Sequence, residues 1–236
     1  DTNPLVQLTT NDADCDGFPT TADCDDGDPN STYECIELSA GGYHTCLIDP
    51  LGELNCWGAG EVVGYCDQST DVDCGQSIPP AGTFQNVSGA GAHSCGVLDD
   101  GSVQCWGADN GDVFDWGQVS STPTTGDFSS VAAGTYHSCA VSVSTGAVEC
   151  WGAGETVGIC NSATSSYECG QSIPPAGSFD SVSGGFMHTC GLKTDGMVEC
   201  WGDNTAGQSS PPGVTFVQLS AGVLHTCGIE SSGAIA

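Results

Sequence analysis

A segment of eight residues occurs five times along the chain, and this internal repeat limits the fold more than any other feature. Its first copy reads Ser-Ala-Gly-Gly-Tyr-His-Thr-Cys over residues 39–46. The histidines of the five copies fall at positions 44, 93, 137, 188 and 225, so that successive copies are 37 to 51 residues apart. Repeats of this length are supersecondary units that bury their apolar faces only by stacking on neighbours. We therefore expect an array of similar units.

Each copy opens a predicted β-hairpin. A short apolar run leads to a turn glycine, and four residues later comes Cys-Trp-Gly in the first four copies. A polar, Gly- and Pro-rich connection follows, and a third strand leads into the next copy. No segment combines a helical period with capping signals over a helical length. The pattern predicts an all-β chain, a β-propeller-like array of four to five blades with a short calcium-binding loop segment at the N-terminus.

These motifs resemble those of the regulator-of-chromosome-condensation repeat family. Its units carry Ala-Gly-x-x-His-Thr-Cys, Asp-Gly and Cys-Trp-Gly-x-Asn-x-x-Gly-Gln, and the resemblance covers about residues 35–236. It implies a β-propeller, usually of about seven blades. The founding nuclear member acts on chromatin and a small GTPase, whereas secreted bacterial relatives include a β-lactamase inhibitor. Because function does not follow from fold, the resemblance implies a recognition scaffold and leaves the partner open.

Fewer repeats are present than the resemblance implies. Four copies are complete, and the fifth reaches Gly233-Ala-Ile-Ala236, one residue before the position where Cys-Trp-Gly is expected. We expect the natural chain to continue. The alternative is that another segment or subunit completes the last blade.

The charge of the chain excludes some classes of partner. Its 30 acidic side chains face a single basic one, Lys193, and the formal net charge is −29. One cation cannot neutralise a row of phosphates, which argues against nucleic-acid binding. The same field repels anionic membranes and attracts divalent cations. No stretch approaches the length of apolar sequence that a membrane span needs.

Sixteen cysteines in 236 residues indicate an oxidising compartment, and therefore a secreted or cell-surface protein. Pairs at similar distances from each hairpin turn predict cross-strand disulfides. Two further pairs are expected to close the long loops of repeats one and three, and a pair before the repeats is preferred over its alternatives. The pairing of Cys35 and Cys227 stays open. The predicted pairs are Cys46 with Cys56, Cys95 with Cys105, Cys139 with Cys150, Cys190 with Cys200, Cys66 with Cys74, Cys160 with Cys169, and Cys15 with Cys24.

The repeated histidines and tryptophans are interpreted as structural. We expect each imidazole to tie its own blade together through backbone hydrogen bonds, with a ring of metal ligands as the alternative. The repeated tryptophans are expected to pack between blades, with a sugar-binding platform as the alternative. No Ser/His/Asp or Cys/His set stands apart from the repeats, so the sequence predicts no enzymatic activity.

An Asp-rich segment before the repeats predicts a calcium site. Alternating carboxylates and a turn glycine, Gly17, follow the EF-hand loop spacing, in which a short backbone loop wraps a hard cation with oxygen ligands. The segment also resembles thrombospondin type 3 repeats, which implies a second cation beside the first. The alternative is a solvated acidic linker. The predicted Ca²⁺ ligands are Asp12, Asp14, Asp16, Phe18 (through its carbonyl), Asp23, Asp25, Asp26 and Asp28.

These observations divide the chain into an N-terminal strand or extension (1–10), the Asp-rich segment (11–34) and the repeat array (35–236). The preferred function is a non-enzymatic, calcium-stabilised extracellular structural module that assembles with copies of itself, as in a surface or extracellular fibre. The alternative is a secreted protein-recognition propeller that binds another protein through its loops. Both take a protein as partner and neither involves nucleic acid.

Overall fold

A computed structural model describes residues 37–61, 63–67, 71–109, 111, 114–156 and 167–236, with residues 63–67, 71 and 72 described for their backbone alone. In these residues the regular structure is entirely β. The strands are β1 (Glu37–Ala40), β2 (His44–Ile48), β3 (Leu54–Gly58), β4 (Val63–Asp67), β5 (Asp71–Cys74), β6 (Phe84–Gly89), β7 (His93–Leu98), β8 (Val103–Gly107), β9 (Phe128–Ala133), β10 (His137–Ser142), β11 (Val148–Gly152), β12 (Phe179–Gly184), β13 (His188–Lys193), β14 (Val198–Gly202), β15 (Phe216–Ala221) and β16 (Thr226–Glu230).

The repeats form a series of antiparallel sheets, as the sequence predicts for an all-β blade array. Blades one to four are the three-stranded sheets β1-β2-β3, β6-β7-β8, β9-β10-β11 and β12-β13-β14. Blade five contains β15 and β16, and Ala236 exchanges two backbone hydrogen bonds with Gly228 at 2.9 and 3.0 Å. The described residues contain no helix that is long and apolar enough to cross a membrane.

A tight turn fixes the register of each outer hairpin. In blade one the amide of Gly52 donates to the carbonyl of Asp49 at 2.9 Å, and Gly52 adopts a φ of 79°, which favours glycine. The Asp49 carboxylate accepts the amides of Leu51 and Glu53, both at 2.9 Å. The resulting register places the histidine that opens the second strand opposite the glycine of Cys-Trp-Gly, here His44 opposite Gly58.

This register also brings the predicted cysteine pairs into direct cross-strand positions. The described residues include four hairpin disulfides, with Cα–Cα distances of 4.0 to 4.1 Å. One cysteine of each pair is fully buried, and the first three disulfides pack against the cores between blades. The bonds are Cys46–Cys56, Cys95–Cys105, Cys139–Cys150 and Cys190–Cys200.

Apolar cores lie between successive blades. The core between blades one and two combines Ile48 of β2 with Phe84 of β6 and Trp106 of β8. The next two cores repeat this plan, with Trp151 and Trp201 in the place of Trp106. Tryptophans 106, 151 and 201 therefore pack between blades, as predicted. Trp57 of blade one is 48% exposed.

The long connection after blade one contains structure that the sequence analysis missed. Strands β4 and β5 form a separate two-stranded hairpin between blades one and two. Cys74 at the end of β5 and Cys169 in the corresponding connection after blade three are both disulfide-bonded. Their predicted partners, the side chain of Cys66 and residue Cys160, lie outside what the structure describes.

Several other predictions also concern residues that the structure does not describe, because residues 1–36 are outside the described part of the chain. The N-terminal extension and the calcium ligands in the Asp-rich segment therefore stay predictions. The same holds for the disulfide between Cys15 and Cys24. Cys24 and Cys15 both precede the first described residue, so their pairing is not tested, and Cys35 is also outside the described residues. Cys227 is an exposed free cysteine in β16.

Candidate functional site

The repeated histidines join each blade to the next one. The Nε2 atoms of His44, His93, His137 and His188 each bond a hydroxyl of the following blade, at 2.5 to 2.9 Å. The prediction that each histidine ties its own blade through backbone hydrogen bonds is wrong. The reason is that successive residues of a strand point to opposite faces of its sheet. Each ring projects from one face of the central strand of its blade and meets the hydroxyl that the next blade presents on the facing side. The hydroxyls belong, in the same order, to Ser94, Ser138, Thr189 and Thr226.

A buried glutamine completes the joint from the connecting loop. The hydroxyl of Thr189 donates to the backbone carbonyl of Gln171 at 3.0 Å, and the same carbonyl accepts the indole N–H of Trp201 at 2.8 Å. Because the hydroxyl proton is used there, the hydroxyl accepts from His137, whose Nε2 therefore carries the proton. In the last joint the hydroxyl of Thr226 donates to the carbonyl of Gln208 at 3.3 Å. These glutamines were not predicted from the sequence, although the recurring Gly-Gln pair was a visible signal.

Burial keeps the joint imidazoles neutral. Desolvation lowers the pKa of His93 and of His137 to about 3, and that of His44 to about 4. Their Nδ1 atoms are buried without a hydrogen-bond partner among the described residues. No group of three or more His, Cys, Asp or Glu side chains within the described ranges is placed to hold a metal ion. These histidines are joints between blades.

One end of the array, here called the loop face, carries the turns between the first two strands of each blade and the connections that leave each third strand. A backbone hydrogen bond joins the turn to the connection in each of blades one to four. In blade one the amide of Ala59 donates to the carbonyl of Tyr43 at 2.9 Å, and blades two to four repeat this contact. The opposite end, here called the turn face, carries the hairpin turns at residues 49–52 and their equivalents.

An aromatic cluster lies on the loop face around blades three and four. We use this name for Trp116, Tyr136, Tyr167 and Phe186. Tyr136 is its centre, with ring centroids 4.4 Å from Tyr167, 5.6 Å from Phe186 and 6.3 Å from Trp116. Tyr136 is buried and the other three are half-buried. Burial and a hydrogen bond with Tyr167 raise the pKa of Tyr136.

Buried glutamines of the joints also position this cluster. The amide of Trp116 donates to the side-chain oxygen of Gln118 at 2.6 Å. Gln171 donates its side-chain N–H to the carbonyl of Tyr167 at 2.6 Å. The cluster is therefore held by the same residues that connect the blades. The sequence analysis did not find it, because its members come from four segments that only the fold brings together.

Carboxylates flank the aromatic cluster. Asp115 precedes Trp116 and accepts the amides of Gly111 and Gly117 at 2.7 and 3.0 Å. Glu168 follows Tyr167 and accepts the amide and the hydroxyl of Thr156 at 3.1 and 2.9 Å. Glu155, which is exposed, adjoins Thr156. The loop face thus combines aromatic rings with negative charge.

Comparison with known proteins agrees with this architecture. The model of the regulator of chromosome condensation (RCC1) repeat matches residues 179–208. That stretch contains blade four together with the joint glutamine Gln208. The fold and the match together support an RCC1-type repeat β-propeller.

Solved structures extend the comparison over most of the chain. The CRINKLY WD40 ectodomain of the Arabidopsis thaliana receptor kinase ACR4 has 26% identity and a TM-score of 0.61, over 83% of this chain and 62% of that chain. The ectodomain of the Physcomitrella patens receptor kinase CR4 has 22% identity and a TM-score of 0.59, over 82% of this chain and 48% of that one. Prp20p of Saccharomyces cerevisiae has 18% identity and a TM-score of 0.58, over 85% of this chain and 56% of that chain. This chain therefore spans about half to three fifths of their length.

Proposed function

We propose that the chain is a non-enzymatic, extracellular protein-recognition module that binds its partner through the loop face. The observation that carries this proposal is the aromatic cluster, which presents half-buried Trp, Tyr and Phe rings on a rigid scaffold. Aromatic residues of this kind are enriched at protein interfaces and at their energetic hot spots. The apolar cores between blades contain other aromatic residues, Phe84, Trp106 and their equivalents. Three of the four rings of the cluster are only half-buried, so they keep surface that a partner can cover.

Two further observations support the location and the type of partner. The four buried disulfides favour an oxidising environment, and the ACR4 structure shows a similar propeller as a receptor ectodomain. Yeast RCC1 (Prp20) has been solved bound to another protein, Kap60. A protein that contains this fold thus binds another protein.

Site-specific photo-crosslinking tests the proposal. A crosslinking amino acid is placed at Tyr43 on the loop face, which is 55% exposed, and as a matched control at Val143 on the turn face, which is 56% exposed. Each protein is incubated with the extracellular fraction of its source and irradiated. We expect one protein to be crosslinked from position 43 and not from position 143. Equal crosslinking from both positions, or from neither, contradicts the proposal.

Self-association is a second candidate function, and calcium stabilisation belongs with it as a proposal based on the Asp-rich segment. The observation that favours it is the apolar surface at the two outermost sheets: Leu38 is 61% exposed on blade one and Val217 is 60% exposed on blade five. Apolar residues on open sheets favour pairing between chains. Analytical ultracentrifugation with and without Ca²⁺ tests it. Monomers under both conditions, at all concentrations, would exclude it.

A further inference from the structure

The aromatic cluster and its carboxylates indicate the chemistry of the partner. We propose that the partner contributes an arginine side chain, which lies on the half-buried rings of the cluster and pairs with the neighbouring carboxylates. This inference rests on the proposed function, since it concerns the same loop face.

Charge complementarity is the first argument. The chain has one Lys or Arg against 30 Asp and Glu. That one, Lys193, lies at the end of β13 next to the hairpin turn, on the turn face, where it is paired with Glu199. The loop face has no Lys or Arg of its own to pair with Asp115, Glu155 and Glu168. A cationic partner is the complement of such a surface.

The geometry of the carboxylates is the second argument. Asp115 and Glu168 adjoin Trp116 and Tyr167 in the sequence. Hydrogen bonds from backbone amides and from the Thr156 hydroxyl hold their carboxylates in place before a partner arrives. Each carboxylate has further lone pairs that can accept hydrogen bonds from a cation. A guanidinium group is planar, stacks on aromatic rings and bonds carboxylates with two donors, so arginine fits this arrangement better than lysine.

The turn face provides an example of the same arrangement within this chain. The Nζ atom of Lys193 lies 5.8 Å from the ring centroid of Phe179 and is paired with the Glu199 carboxylate. One cation is thus shared between an aromatic ring and an acid. On the loop face the ring and the acids are present, and the partner supplies the cation.

Titration with short peptides tests the inference. The probes are tetra-arginine, tetra-lysine and tetra-glutamate peptides, with the neutral sugar cellotetraose, and binding is measured by calorimetry at low and high ionic strength. We expect tetra-arginine to bind more tightly than tetra-lysine, and expect neither tetra-glutamate nor cellotetraose to bind. Tight binding of cellotetraose, or equal binding of the two cationic peptides, overturns the inference.

Substitutions separate the cluster from the overall charge of the chain. We expect Trp116→Leu to weaken tetra-arginine binding by about three- to tenfold, which is the size of a cation–π contribution, and Trp116→Phe to retain most of it. The control Trp57→Leu removes an exposed indole outside the cluster, and no change is expected. Equal losses from Trp116→Leu and Trp57→Leu contradict the inference.

A second pair of variants leaves the rings intact. Glu155→Gln on the loop face and Glu53→Gln on the turn face remove one charge each from exposed positions. We expect only Glu155→Gln to weaken binding, by about two- to fivefold. Equal effects overturn the inference, because binding then follows net charge. If position 43 still crosslinks a protein in that case, the proposed function stands and only the cationic partner is wrong.

Discussion

At the scale of single residues, the joint between blades consists of a neutral imidazole, a hydroxyl and a backbone carbonyl. His137 donates to Thr189, and Thr189 donates to the Gln171 carbonyl. His137 and Thr189 are fully buried. When a buried polar group loses its hydrogen-bond partner, the cost of removing that group from water is no longer compensated. The loss of a single joint hydrogen bond therefore lowers the free energy of unfolding considerably.

Replacement of Thr189 by Val removes the hydroxyl while keeping the shape of the side chain. The His137 N–H then has no acceptor in a buried site, and we expect a loss of about 1–3 kcal/mol in the free energy of unfolding. Urea denaturation measures this. The control Thr194→Val, at an exposed position in the same blade, is expected to have little effect. Similar losses in both variants would contradict this account of the joint.

The joint histidines also predict acid sensitivity. Their pKa is lowered in the folded state, to about 3 for His93 and His137, from the ordinary 6.5. As the pH decreases below 6.5, the unfolded chain therefore binds protons at these imidazoles while the folded chain does not. The free energy of unfolding is at its full value above pH 6.5 and falls as the pH decreases below it. The expected slope is about 1.4 kcal/mol per pH unit for each imidazole.

Denaturation between pH 7.5 and pH 5 tests this, since most carboxylates stay ionised over that range. The variant His137→Asn removes one titrating group, and its slope is expected to be smaller than that of the natural chain. A flat profile in the natural chain, or the same slope in both proteins, would show that the imidazoles are not responsible.

At the scale of elements, the sequence allowed the hairpins to be predicted because their determinants are local. The turn sequence around Asp49 and Gly52 sets the register, and the register places Cys46 opposite Cys56. The hairpin β4–β5 was missed, since its short strands contain Gly64 and three aspartates, residue types that are depleted in strands. The aromatic cluster was missed for another reason. The contact between Tyr136 and Tyr167 depends on how the blades stack, and a local sequence pattern carries no information about stacking.

Removal of one hairpin disulfide should destabilise its blade. In the double variant Cys139→Ala with Cys150→Ala the unfolded chain is no longer restricted by a closed loop, and we expect a loss of about 2.5–3 kcal/mol. Thermal melting under non-reducing conditions measures this. The control is Cys227→Ser, which changes an exposed free cysteine. A melting temperature that is lower for the control than for the double variant would contradict the prediction.

At the scale of the whole molecule, the chain consists of similar blades packed face to face, preceded in the sequence by an Asp-rich segment. The segment from Asp12 to Asp28 carries seven aspartates, so it accounts for a large local share of the negative charge. Oxygen ligands at this spacing favour Ca²⁺. Whether the segment binds calcium is independent of the blades and is tested separately.

Calorimetric titration with Ca²⁺ is expected to show binding that is abolished by Asp12→Asn together with Asp16→Asn. The control Asp180→Asn changes an exposed aspartate in blade four and is expected to leave binding unchanged. The same binding in all three proteins would indicate diffuse attraction of cations by the net charge, and would exclude a defined site.

The direction of the joints has an evolutionary consequence. Each blade offers a histidine on one face and a hydroxyl on the other, and the four bonds join the histidine of one blade to the hydroxyl of its successor. Duplication or deletion of one whole repeat in the gene therefore creates a new joint of the same kind. The spacing of 37 to 51 residues is consistent with this, because the joint residues recur while the connections between them vary in length. Such a lineage can change its number of blades without inventing a new interface.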